Sequence, residues 1–381
     1  MEIEEFELER LQSLWENRVE INLTESGIHP YTLRELLSPG EIGELLDLRL
    51  TYGWTDGSPE LREAIAGYYA ATTPANVLVT NGSAEANFLA AWTLLEPGDE
   101  LVLMLPNYMQ IFGLARSLGV EVRPFHLRES RGWAPDLEEL RRQVSPRTKV
   151  VAVCYPNNPT GAVLSRPEME EIVAIAEAVG AVVYADEVYK GAELDGEEGP
   201  SFRDLSDRAI VAAGLSKALA HPGLRLGWLV GPEEFIAAAW HRNDYTTIAA
   251  GVLSQQVART ILDPPRRSAI LARNREILGR NRGLLQRWVE KRSEEFSWIP
   301  PRAGGMAFLR YRTPINSTVL CHRLRRQKSL LVLPGDVYGM DGYLRLGIGE
   351  RPETLERGLA RLADGFSEIG TGSRAASEGA P

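Results

Sequence analysis

From about Val77 onward, short unbroken apolar runs alternate with segments whose apolar residues recur every three to four positions. That alternation predicts buried strands separated by amphipathic helices, as in a doubly wound α/β fold. The strand-like runs are 76–80, 100–105, 120–125, 149–154, 181–185, 209–213 and 224–230, and helical periods fill 84–95, 109–118, 137–143 and 167–179. The expected core is a mixed, mostly parallel sheet of about seven strands between helices. A long Arg-rich helical period follows over 264–291. Short strand-like runs at 307–311, 330–333 and 343–347 then alternate with helical ones at 318–327 and 354–367, predicting a second, small α/β domain.

The chain before Val77 has a different texture. An amphipathic period runs through Leu11, Leu14 and Trp15, followed by Gly-punctuated loops over 21–31 and 50–58. Ser58 and Pro59 then suit the N-cap and first position of another helix. The expected division is 1–48 as an N-terminal segment completing the small domain, 49–280 as the large domain and 281–369 as the small domain. Residues 370–381, small and polar, are expected to form a disordered tail.

Composition narrows the class. The 381 residues are 44% hydrophobic and 25% charged, as in an ordinary globular protein with a substantial core. A net charge of -10 argues against nucleic acid as the main partner, and no apolar run is long enough to span a membrane. The acidic start, Met1 to Arg10, is unlike a secretory signal, and two cysteines cannot build a disulfide framework. With five histidines, none at ligand spacing, the expectation is a cytoplasmic protein without a metal.

In a doubly wound sheet, ligands lie beyond the carboxyl ends of the strands. After the first run comes Thr80-Asn-Gly-Ser-Ala-Glu-Ala86, a turn opening a helix; Ser83 is either a cap or part of a phosphate cradle. Tyr108 after the second run either fills core or stacks on a flat ring. Residues 155–161 carry two prolines, a glycine and an amide pair, a fixed loop able to bond a phenolic oxygen. Asp186 ends an apolar run and needs a positive partner; a protonated pyridine, Arg225 or a helix N-terminus would serve. Lys217, one of only five lysines, follows another apolar run. It either snorkels or is a desolvated amine able to attack a carbonyl.

Four motifs together, Asn157-Asn-Pro-Thr-Gly161, Ala185-Asp-Glu-Val-Tyr189, Leu215-Ser-Lys217 with Gly223-Leu-Arg-Leu-Gly227, and Tyr343-Leu-Arg-Leu-Gly347, resemble fold-type I pyridoxal-phosphate (PLP) enzymes of the class I/II aminotransferase family. The resemblance is collinear over about residues 20–365. It implies that Lys217 forms the Schiff base with pyridoxal 5'-phosphate and moves the α-proton, and that Asp186 keeps the pyridine nitrogen protonated. Asn158 and Tyr189 would bond the phenolic oxygen, Tyr108 would stack on the ring, and Ser83, the Ala84 amide and Arg225 would hold the phosphate. Arg345 would pair with the substrate carboxylate, and Gly27 would let the backbone pass close to the substrate. Tyr52 would reach the neighbouring site of a homodimer. One departure stands out: many relatives have a serine three residues before the lysine, where this chain has Gly214, so Ser216 is the substitute to consider.

The loops choose the reaction. Thr24-Glu-Ser-Gly-Ile-His-Pro-Tyr31 and Tyr52-Gly-Trp-Thr-Asp-Gly-Ser58 resemble the capreomycidine-synthase type, enzymes of antibiotic biosynthesis that cyclise hydroxylated arginine. That resemblance implies a subsite for a guanidinium, with Glu25 and Asp56 as candidate acids or as solvated loop residues, and His29 as either a general acid or a packing residue. The alternative is an aminotransferase passing an amino group to a 2-oxo acid, which would use the same cofactor residues.

Overall fold

A computed structural model of the chain describes residues 2–196 and 198–377, with side chains to residue 368. The N-terminal helix α1 spans Glu7–Trp15 and leads to β1, Ile21–Asn22. The helix Pro59–Ala66 starts as its sequence predicts, with the Ser58 hydroxyl accepting from the Leu61 amide and Pro59 in the first turn.

The main sheet contains β2 (Val77–Thr80), β3 (Glu100–Leu105), β4 (Glu121–Arg128), β5 (Ala134–Pro135), β6 (Thr148–Cys154), β7 (Val182–Asp186), β8 (Ile210–Gly214) and β9 (Gly227–Val230). Its order is β2-β9-β8-β7-β6-β3-β4-β5. The run from β8 to β4 is parallel, while β9 is antiparallel to β2 and β8, so the sheet is mixed and mostly parallel. The expected runs all form strands, and β5 adds an eighth at the edge. Two residues, one a proline, carry no period-2 signal, which is why β5 escapes a reading of the sequence. Every residue of β2, β8 and β9 is buried. Helices cover both faces, and this explains why these strands read as continuous apolar runs rather than alternating ones.

The long helix Pro264–Glu290 leads to an antiparallel sheet of order β10-β11-β14-β13, made of β10 (Phe296–Trp298), β11 (Met306–Tyr311), β13 (Leu333–Pro334) and β14 (Tyr343–Gly347). Between these, β12 (Leu330–Leu331) pairs in parallel with β1. The chain after β1 continues the ladder, with the Leu23 amide donating to Leu331 O at 2.9 Å and the Gly347 amide to Leu23 O at 2.7 Å. Leu23 is fully buried, and burying such a side chain contributes about 1.5–3 kcal/mol. This anchoring carries residues 24–27 to the carboxyl edge of the main sheet. The last helix runs Pro352–Ser377, so its span includes residues 370–377 of the expected tail. An existing helix is lengthened without a new nucleation cost. Residues 378–381 of that expected tail lie outside the described residues.

Candidate active site

At the carboxyl edge of the main sheet, register brings the strand ends together. Cys154 pairs with Asp186, Asp186 with Ala212, and Gly214 with Gly227, which also faces Thr80. A cavity opens there, lined by Ser83, Ala84, Tyr108, Asn158, Asp186, Tyr189, Lys217 and Arg345, all anticipated from the sequence, together with Ser26, Cys154 and Val188. Leu8, Glu9 and Gln12 of α1 form its outer wall.

Lys217 Nζ lies 2.7 Å from Glu25 Oε1, in an ion pair that leaves both side chains partly accessible. It is therefore neither a solvent-reaching snorkeller nor a lone desolvated amine. Burial raises the Glu25 carboxyl, but Lys217, the Gly27 amide at 2.8 Å and the nearby Arg345 more than offset this, and bring its pKa down to about 2. A Cβ on Gly27 would sit 3.2 Å from both Glu25 Oε1 and Ser216 O, so the loop passes closely over the lysine.

Asp186 is buried, and burial raises its pKa; a bond from Asn87 Nδ2 at 3.2 Å, the Val188 amide at 3.2 Å and Lys217 oppose that rise. Arg225, considered as its partner on sequence grounds, lies elsewhere. Asn87 occupies helix Ser83–Leu94, one turn beyond Ser83 on the same face, and that spacing was the available signal for it. Its Oδ1 accepts from Tyr184 OH, so both ends of the amide are engaged.

Arg345 is 1% exposed. Its Nη1 donates to Asn158 Oδ1 at 3.0 Å and its Nη2 to Thr24 O, while its buried Nε has no partner. Tyr189 OH donates to Ser26 Oγ at 2.8 Å, and burial pushes its phenol up. Tyr108 OH donates to Glu9 Oε1 at 2.6 Å, and its ring centre lies 5.0 Å from that of Phe6. Glu9 escapes the sequence reading because an acid on an amphipathic surface helix looks merely solvated. Glu16, further along the chain, is raised by burial and then by Glu25 and Glu9, with Lys217 opposing, so three carboxylates gather near one ammonium.

Helix Ser83–Leu94 begins at Gly82, φ 83°, without a side-chain cap, which leaves its first amides open to an anion. A Cβ on Gly227 would come within 2.5 Å of the Ser83 amide nitrogen, and one on Gly82 within 2.7 Å of Arg225 Nη2. Arg225 is exposed and borders this turn without lining the cavity. Ser216 is buried but likewise outside the lining. At Gly214 a Cβ would stand 3.0 Å from Leu226 O and 3.2 Å from Gly227 Cα, so a serine there would need the neighbouring backbone to give way by a few tenths of an ångström.

Three further candidates, unlike Arg225 and Ser216, do not border the cavity's residues and are engaged or exposed elsewhere. Asp56 pairs with Arg62 instead of offering a free acid. His29 Nδ1 lies 2.8 Å from Arg273 Nη2, and burial followed by Arg273 lowers its pKa, so the ring is engaged by that arginine rather than facing the cavity. Tyr52 stands 73% exposed on a surface loop, away from this chain's own site.

An uncapped helix start beside a cation, a buried carboxylate at a strand end and an accessible lysine fit the phosphate, pyridine nitrogen and aldehyde of PLP. Comparison with known proteins agrees. Residues 46–362 match the family described as aminotransferase class I and II. The chain is 35% identical to capreomycidine synthase of Streptomyces vinaceus over 93% of its own length and 90% of that protein. Among solved structures it is similar to a PLP-dependent aminotransferase from Streptococcus suis, with 34% identity, a TM-score of 0.91 and coverage of 97% of this chain and 99% of that one. It is also similar to the PLP-dependent cyclase OrfR, with 26% identity, a TM-score of 0.86 and 97% coverage of each. The chain belongs to the class I and II aminotransferase family and is a PLP-dependent enzyme.

Proposed function

We propose that the enzyme cyclises an arginine hydroxylated at Cβ, losing water and retaining the amino group. The observation that carries this reading is the Lys217–Glu25 pair. With Lys217 engaged by the cofactor, Glu25 would keep the Gly27 amide and the nearby Arg345, and a substrate guanidinium reaching the wall formed by α1 would replace the lost ion pair. Similarity to capreomycidine synthase and to a PLP-dependent cyclase supports the same choice.

In this reading Asp186 holds the ring nitrogen protonated, Asn158 and Tyr189 bond the phenolic oxygen, and Tyr108 packs on the ring. Ser83, the Ala84 amide and Arg225 hold the phosphate, and Arg345 binds the substrate carboxylate through its unpartnered Nε side. When bound, the cofactor supplies an electron sink for the pair left at Cα. Lys217 takes the proton from Cα and delivers it to the departing Cβ hydroxyl, which leaves as water. A guanidine nitrogen then bonds to Cβ and gives up its proton, which Lys217 returns to Cα. Atoms balance with loss of one water and no oxidant. Leu46, Leu50, Tyr52 and Trp54 are 81%, 76%, 73% and 60% exposed; a second copy covering this apolar loop would bring Tyr52 to the partner's phosphate.

Incubation with β-hydroxyarginine tests the reading. A cyclic product one water lighter, with the cofactor unchanged, is expected. Pyridoxamine phosphate together with a 2-oxo acid would instead identify an aminotransferase.

A further inference from the structure

Glu187 follows Asp186 directly, yet its side chain leaves the cofactor cavity and is 1% exposed. Its Oε1 accepts from Ser201 Oγ at 3.0 Å and the Phe202 amide at 2.8 Å, whereas its Oε2 is buried without a partner. It borders a second cavity of about 30 Å³, whose wall includes Tyr69, Trp228, Gly214 and Ala218. That cavity therefore backs the segment carrying Lys217. Tyr69 OH accepts from Trp228 Nε1 at 3.0 Å and retains its own proton to donate.

Among the surrounding charges, Lys190 is the one that most favours an ionised Glu187, though burial outweighs it. Lys190 and Arg267 both already pair with Glu198. Asp204 and Glu193 add negative charge nearby, and Tyr69 and Tyr155 are neutral. Burial is the largest influence and pushes the Glu187 carboxyl up to about 8. The backbone ties it to the site: its amide donates to Ala212 O at 2.8 Å, and the next residue accepts from the Ala218 amide at 3.2 Å. The turn from Asp186 to Tyr189 thus hangs between Glu187 on one side and the lysine segment on the other.

We propose that Glu187 is a positioning residue that works as a neutral carboxylic acid, donating from Oε2 to a water in this second cavity while Oε1 clamps the Ser201–Phe202 turn, and so holds Asp186 and Tyr189 against the cofactor. A cavity of this size has room for about one water. Ionisation would place an unpaired charge behind the site and loosen the turn.

The test is equilibrium dialysis of PLP from the holoenzyme, read by the absorbance of bound cofactor, between pH 6.5 and about 9.5. The wild type is expected to lose cofactor affinity as pH rises through about 8, by up to roughly tenfold per pH unit relative to Glu187→Gln. Glu187→Gln keeps the donor and the acceptor without the charge, and should match the wild type at pH 7. Glu187→Ala should bind more weakly throughout; if it does not fold, the glutamine comparison decides alone. Identical pH profiles for wild type and Glu187→Gln, or loss of cofactor from Glu187→Gln at pH 7, would overturn the proposal.

Discussion

Lys217 and Glu25 are separated by 192 positions in the chain and meet as an ion pair, Nζ to Oε1 at 2.7 Å. The pairing of β1 with β12 and the bond from Gly347 to Leu23 bring the acid there. Its position beside the lysine is therefore a property of the packed fold.

Glu25→Gln should leave PLP bound, because the residues facing the cofactor are unchanged. Affinity for arginine should fall roughly tenfold to a hundredfold, the worth of a charge-assisted hydrogen bond, whereas neutral citrulline should be little affected. Spectral titration of the holoenzyme with both amino acids checks this; equal losses for both would remove Glu25 from side-chain recognition.

The same acid has a pH signature. Its folded pKa, about 2, lies below the ordinary value of 4.5. The stability this contributes is fully present above pH 4.5 and is lost as pH falls through 4.5 toward 2. Denaturant melts of the apo-protein should show the wild type and Glu25→Gln differing by a constant amount above about pH 5.5 and converging below it.

Asn87→Ala removes a donor to Asp186 and the acceptor of Tyr184 OH. Leaving buried polar groups unsatisfied costs about 1–3 kcal/mol each. The measurable results should be a lower melting temperature and PLP affinity weakened by about tenfold or more. An unchanged dissociation constant for PLP would show that Asp186 does not depend on this amide.

Gly214→Ser introduces the serine that the motif resemblance implies three residues before Lys217. Because the new Cβ would stand 3.0 Å from Leu226 O, the variant should lose about 1–3 kcal/mol by overpacking without tighter PLP binding. Stability gained together with cofactor affinity would mean that the backbone of β9 yields easily.

Arg345→Lys keeps the charge but loses the planar fork that reaches Asn158 and Thr24 at once. The Michaelis constant for amino-acid substrates should rise by about tenfold or more, with a smaller change in turnover. Steady-state kinetics on the wild type and the variant separates the two.

Much of this enzyme is determined by stretches of sequence short enough to read one at a time. Apolar runs such as 210–214 specify strands buried on both faces, because neither face can be left in water. Asp186, Lys217 and Arg345 are legible because each sits within a compact motif at or beside a strand, where a charge among apolar residues demands a reason. The two-residue strand β5 and the helical continuation past residue 370 are not, since neither carries a local period. Only the tertiary structure decides that Glu25 pairs with Lys217, that Asn87 supports Asp186, that Asp56 and His29 are taken by Arg62 and Arg273, and that Glu9 closes over Tyr108. Except for Asp56 and Arg62, six positions apart, each of these is a contact between segments far apart in the chain. Strand order, register and the path of the loops select it.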